Sequence, residues 1–174
     1  YGYGGYKFIP GLWANMAKSL IKEYNLKNTS NIIDLGCGKA FLLHEIKLIL
    51  PDIKVVGIDI SSYAINQSKS KIKPFLKIFD ARNKLPFEDK RFDLLISLGT
   101  LHNFRLPELK KVIKEIDRVS KKSYVMVESY RNEKELFNLQ CWALTAESFF
   151  DNKEWEWIYK EFGYSGDFEF IYFE

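Results

Sequence analysis

The run Asp34-Leu-Gly-Cys-Gly-Lys-Ala40 falls between a short apolar stretch and a helical pattern. Glycines at 36 and 38 let the backbone approach a ligand closely, and the helix that follows presents unpaired N–H groups at its start. Asp59 stands 23 residues after Gly36 and closes the next apolar stretch, where a carboxylate can accept from both hydroxyls of a ribose. Together these residues describe a nucleoside site. A pyrophosphate fingerprint needs a third glycine at the helix start, whereas positions 40 and 41 are Ala40 and Phe41, so a dinucleotide is disfavoured. The other chemically able residue is His102, one of two histidines, in Gly99-Thr-Leu-His-Asn-Phe-Arg105. A neutral imidazole there can act as a general base or substrate ligand; the competing expectation is a histidine packed or hydrogen-bonded at a helix start. His44, inside an amphipathic helix, is expected to be structural.

Apolar positions at helical spacing from Leu12 to Tyr24 predict a first helix, ended by the Lys27-Asn-Thr-Ser30 turn cluster. Asn31–Leu35 reads as a strand, and the helix after the glycine turn carries Phe41, Leu42, Ile46 and Ile49 to a stop at Pro51. The unit repeats with a strand at Lys54–Asp59, Ser61 as helix N-cap, and a helix that cannot pass Pro74. Further strands are expected at Phe75–Phe79, Phe92–Leu98, Tyr124–Glu128 and Phe168–Phe173, with helices over Leu109–Val119 and from about Phe149 to Phe162. This alternation predicts an α/β domain: a doubly wound, Rossmann-like, mostly parallel sheet flanked by helices, with ligands beyond the carboxyl ends of its strands.

Four segments in order, Ile32-Ile-Asp-Leu-Gly-Cys-Gly38, Gly57-Ile-Asp-Ile-Ser61, Phe79-Asp-Ala81 and Phe92-Asp-Leu-Leu-Ile-Ser97, resemble the class I S-adenosylmethionine-dependent methyltransferases. The resemblance covers roughly residues 30 to 128. It implies S-adenosylmethionine as cofactor, with Gly36 and Gly38 lining its methionine part and Cys37 between them in the cofactor loop. Asp34 would orient that loop or accept from the ammonium, and Asp59 would hold the ribose. Asp80 with Ala81 would meet the adenine, Ile60 would pack on its ring, and Ser97 and Leu98 would border the methionine beside the substrate. Ala40 departs from the family, which often has glycine there. The family also usually closes with a seventh, antiparallel strand, and six are evident here. Phe137–Trp142 either supplies it or belongs to an insertion, Ser129 to Leu144, over the substrate pocket.

The 174 residues, 47% hydrophobic and 28% charged, suit a single domain, with residues 1–29 as an aromatic N-terminal lid and first helix and 30–174 as the cofactor-binding domain. Tyr1, Tyr3 and Tyr6, spaced by glycines, suggest that lid, and Tyr6 is a candidate substrate contact together with Asn103, Tyr130 and Arg131. A net charge of +3 gives no support to a nucleic-acid partner. Cys37 and Cys141 form neither a disulfide framework nor a metal cluster, and no run is long enough to span a bilayer, so no metal, no membrane and a cytoplasmic location are expected. Oligomeric state stays open, a homodimer included. Missing motifs argue against several acceptors that the family serves. Ser97-Leu-Gly-Thr100 replaces the Asn/Asp-Pro-Pro-aromatic turn of amine methylation in nucleic acids, and the glutamate pair of arginine methylation is absent. A small polar acceptor, such as a sugar or nucleotide sugar, is the remaining expectation. The alternatives are a non-catalytic S-adenosylmethionine-binding module, or an RNA or protein methyltransferase that works with a partner.

Overall fold

A computed structural model describes residues 7–174. Six strands form one sheet in the order β3-β2-β1-β4-β5-β6: β1 (Asn31–Leu35), β2 (Lys54–Asp59), β3 (Leu76–Ile78), β4 (Phe92–Leu98), β5 (Ser120–Glu128) and β6 (Asp167–Ile171). Every neighbouring pair is parallel. The six helices are α1 (Ala14–Glu23), α2 (Phe41–Ile49), α3 (Ser62–Asn66), α4 (Leu106–Val119), α5 (Glu133–Trp142) and α6 (Asn152–Phe162). Strand order reverses between β1 and β4, which leaves a crevice beyond their carboxyl ends.

Alternation along the central strands builds two cores. Ile33, Leu35 and Leu95 face one way, against Leu109, Ile113 and Ile116 of α4 and Trp155 and Ile158 of α6. Ile32, Leu94 and Ile96 face the other way, against Ala17 and Leu20 of α1 and Leu42, Leu43 and Ile46 of α2. Side chains on a strand point alternately to opposite faces, so a sheet covered on both sides needs apolar residues at nearly every position of β1 and β4. Among the described residues no helix is long and apolar enough to cross a membrane.

Several element boundaries differ from expectation: β6 spans Asp167–Ile171 instead of ending at Phe173, and three others have an evident cause. Lys73–Phe75 forms a 3-10 turn led by Pro74, so β3 begins only at Leu76. α4 starts at Leu106 because Pro107 sits in its first turn and Glu108 Oε2 accepts from the Arg105 N–H at 3.1 Å. β5 begins four residues early, at Ser120, because pairing with β4 runs from Phe92 opposite Ser120. Phe137–Trp142 is helical, in α5, started by Asn132 whose Oδ1 accepts from the Glu135 N–H at 3.0 Å. It supplies no seventh strand, and among the described residues the sheet ends at β6.

Candidate active site

The glycine turn after β1 is held by its neighbours. The N–H groups of Gly36 and Cys37 both donate to the Ile58 carbonyl of β2, at 2.8 and 3.1 Å. Gly36 has φ +77°, and a Cβ built there would lie 2.0 Å from Thr100 Oγ1, so no side chain fits. At Gly38 (φ +53°) a Cβ would meet nothing within 4 Å, because that side of the loop is the cavity. The Gly38 N–H donates to Asp59 Oδ2 at 2.7 Å, and Asp59 Oδ1 accepts from the Ser61 N–H at 2.7 Å. Two amides therefore orient the carboxylate, and each oxygen keeps a further acceptor position for a ligand hydroxyl. Ala40, at the start of α2, adopts φ +56°. Its buried methyl offsets part of the strain that a left-handed alanine carries.

Around this loop lies a cavity of about 700 Å³ at the carboxyl ends of β1, β2 and β4. Asp34, Gly36, Cys37 and Gly38 form one wall, Asp59 with Ser61 and Tyr63 a second, and Leu98, Gly99, His102 and Asn103 a third. Cys141 to Thr145, the end of α5 and the residues after it, close the far side. Asp34 is buried, its backbone paired with β2 and β4, and no hydrogen bond or ion pair among the described residues reaches its carboxyl. Burial and the neighbouring Asp59 charge push its carboxyl up to about 7. Burial likewise pushes the Cys37 thiol far up, and its sulfur is turned towards Gly57 beneath the loop, where a Cβ would stand 2.8 Å from it. Cys37 thus meets the cavity as part of the loop and not as a thiolate.

At the acceptor end, His102 Nδ1 lies 2.5 Å from Glu128 Oε2, both side chains buried. The imidazole borders the cavity, with Trp142 edge-on at 6.5 Å. Asn103 Nδ2 donates to the Thr100 carbonyl at 3.1 Å and its Oδ1 accepts from Thr145 at 2.7 Å, which ties the turn after β4 to the segment after α5.

Leu98 also lines the cavity, but several other expected contacts lie elsewhere. Ser97 has no exposed surface and its hydroxyl donates to the Leu35 carbonyl at 3.1 Å, so it ties β4 to β1 and does not border a ligand. Arg131 is bound to Glu135, with Nε to Oε1 at 3.0 Å, and to Glu174 at 2.7 Å, and it lies over the Tyr172 ring. Neither it nor half-buried Tyr130 lines the cavity. Ile60 is exposed beside Asp59, outside the cavity wall. Asp80 receives Arg82 on both oxygens, at 2.9 and 2.7 Å, which holds its carboxyl below the usual range, and Ala81 packs against the core. The lid tyrosines, Tyr6 included, lie outside the described residues. Among the described residues no group of three or more His, Cys, Asp or Glu side chains is placed to hold a metal.

The expected insertion over the substrate pocket, Ser129 to Leu144, reaches the cavity at its end, with Cys141 to Leu144 on the far wall. The sequence did not point to Ser61 and Tyr63 on the cofactor wall, to Thr145 on the far wall, or to Glu128 as the partner of His102.

The family model of the methyltransferase domain matches residues 26–163. The chain belongs to the class I methyltransferase family. A demethylmenaquinone methyltransferase of Staphylococcus saprophyticus is 33% identical over 115 residues, 63% of this chain and 48% of that protein. A malonyl-[acyl-carrier protein] O-methyltransferase of Legionella pneumophila is 31% identical over 91 residues, 51% of this chain and 31% of that one. The chain therefore spans about a third to a half of those relatives' lengths. The solved structure of a SAM dependent methyltransferase from Aquifex aeolicus matches with a TM-score of 0.58 and 20% identity, over 90% of this chain and 89% of that one, and shows the shared fold.

Proposed function

We propose that this methyltransferase domain uses S-adenosylmethionine to methylate a small polar acceptor bound beside His102. The observation that carries the reading is the layout of one cavity, with Asp34, Gly38 and Asp59 on one side and the imidazole of His102 on the other. The residues present fit the cofactor. Gly38 leaves open space where a side chain would stand, Asp59 is held with acceptor capacity to spare for two hydroxyls, and the buried Asp34 carboxyl faces no cation among the described residues. Asp34 would take the cofactor's ammonium and Asp59 its ribose. When bound, the cofactor supplies an electrophilic methyl group on a sulfonium.

The chain's own part is alignment and proton removal. Asn103 and Thr145 hold each other across the acceptor end, Trp142 offers an aromatic edge there, and His102 accepts the proton the acceptor gives up. An aromatic wall beside paired polar groups suits a ring that bears hydroxyls, which keeps a sugar or nucleotide sugar as the first acceptor class to screen. The two relatives are named for a demethylmenaquinone and a malonyl-acyl-carrier-protein substrate, so kinship alone does not select among acceptors.

Calorimetric titration with S-adenosylmethionine and, separately, NAD tests the reading. Binding of the first alone is expected; binding of NAD alone, or of neither, overturns it. With an acceptor in hand, His102→Ala is expected to slow turnover by at least about 100-fold while leaving cofactor affinity unchanged. Equal turnover would make His102 a packing residue.

A further inference from the structure

Glu128 ends β5 with a side chain that has no exposed surface. Its Oε2 meets His102 Nδ1, while Oε1 is buried without a hydrogen-bond partner among the described residues. An unpaired buried carboxylate is costly, and packing alone is served better by an apolar side chain of the same size. The imidazole is therefore what accounts for a carboxylate at this position. Both ends of the pair are fixed. The Trp155 indole N–H donates to the Glu128 carbonyl at 3.3 Å, and the His102 carbonyl accepts from the N–H groups of Glu147 and Ser148 at 2.9 and 3.0 Å. With Nδ1 engaged, Nε2 is the ring nitrogen left for a ligand in the cavity that His102 lines.

We propose that Glu128 is the positioning residue of this site. It keeps the neutral imidazole's proton on Nδ1 and so leaves the Nε2 lone pair for the acceptor. The inference rests on the methyltransferase reading and deepens it. The acceptor's O–H bond breaks and its proton passes to Nε2. The oxygen pair so released forms the new bond to the methyl carbon, and the pair of the broken carbon–sulfur bond stays on sulfur. The imidazolium that results faces ionised Glu128 and later returns its proton to water. A carboxylate–imidazole pair of this kind serves an acceptor that arrives protonated, which points to a hydroxyl.

Nitrogen-15 NMR of histidine-labelled full chain, at alkaline pH and without acceptor, reads the arrangement directly. Only His44 and His102 contribute, and His44→Gln assigns them. The expected wild-type result is a protonated Nδ1 and an unprotonated Nε2 on His102. In Glu128→Gln the side-chain amide can donate to Nδ1, so the proton is expected to move to Nε2 while His44 stays as it was. A wild-type His102 protonated on Nε2, or the same tautomer in both proteins, overturns the proposal, and the wild-type arm requires no variant to fold. Titration of the same samples with S-adenosylmethionine is expected to give equal affinities. Failure of both to bind it would count against the methyltransferase reading alone, since the tautomer is read without cofactor.

Discussion

Asp59 does two things at once: it closes the glycine loop through the Gly38 amide and keeps acceptor positions for a ribose. Asp59→Ala is therefore expected to weaken S-adenosylmethionine binding by roughly 1.5–3 kcal/mol, from unpaired hydroxyls and a loosened loop together. Titration calorimetry of the variant checks it, and unchanged affinity would remove the ribose assignment. Gly36 is limited by space as well as by backbone. With φ +77° and a Cβ position 2.0 Å from Thr100 Oγ1, Gly36→Ala should cost about 3 kcal/mol, read as a lower urea midpoint. At this scale the motif was legible in the sequence, since the glycines, Asp34 and Asp59 stand at informative spacing. Glu128 was legible only as a carboxylate at a strand end. Its distance to His102 depends on β4 and β5 lying side by side, which no local pattern encodes.

Among the elements, α6 is the most completely specified by its own residues. Asp151 Oδ1 accepts from the Glu154 N–H and Glu154 Oε2 from the Asp151 N–H, each at 2.8 Å, and Gly163 ends the helix at φ +78°. Asp151→Ala should lower stability by about 1 kcal/mol without affecting cofactor binding, as thermal unfolding and titration of one preparation would show. α5 was harder to place. Its apolar residues Phe137, Leu139 and Trp142 suit a strand or a helix, and the decision came from the Asn132 cap and from packing of Leu139 into the interior. That outcome puts Cys141 to Thr145 at the cavity, where they form the far wall.

At the scale of the whole molecule, buried Asp34 links cofactor binding to stability. Its folded value, pushed up to about 7, lies above that of an ordinary carboxyl, so ionisation works against the ligand-free fold. The stability this group contributes is complete below its unfolded value near 4 and is lost as pH rises through about 7. Affinity for the cationic cofactor runs the opposite way, because only ionised Asp34 attracts the ammonium. Melting temperature without ligand is expected to fall, and S-adenosylmethionine affinity to rise, from about pH 5 to about pH 7, each levelling off above that. Asp34→Asn should flatten both trends, raise the melting temperature at the higher pH and weaken binding. A wild-type protein with no pH trend in either quantity would contradict the buried-anion account.

The sequence by itself determined the order of strands and helices apart from α5, the two-sided core, the glycine turn and the carboxylate that pairs with it. These follow from short-range periodicity and from turn chemistry, which act within a few residues. Tertiary structure alone decided which polar side chains reach the cavity. Ser97, Tyr130 and Arg131 stand next to the right strand ends in the sequence, yet a backbone carbonyl takes Ser97 and two glutamates take Arg131. Glu128, at the end of β5, turns inward to His102. A polar side chain near a pocket goes to whichever partner best satisfies it, and that partner is brought close by the packing of elements distant in the chain.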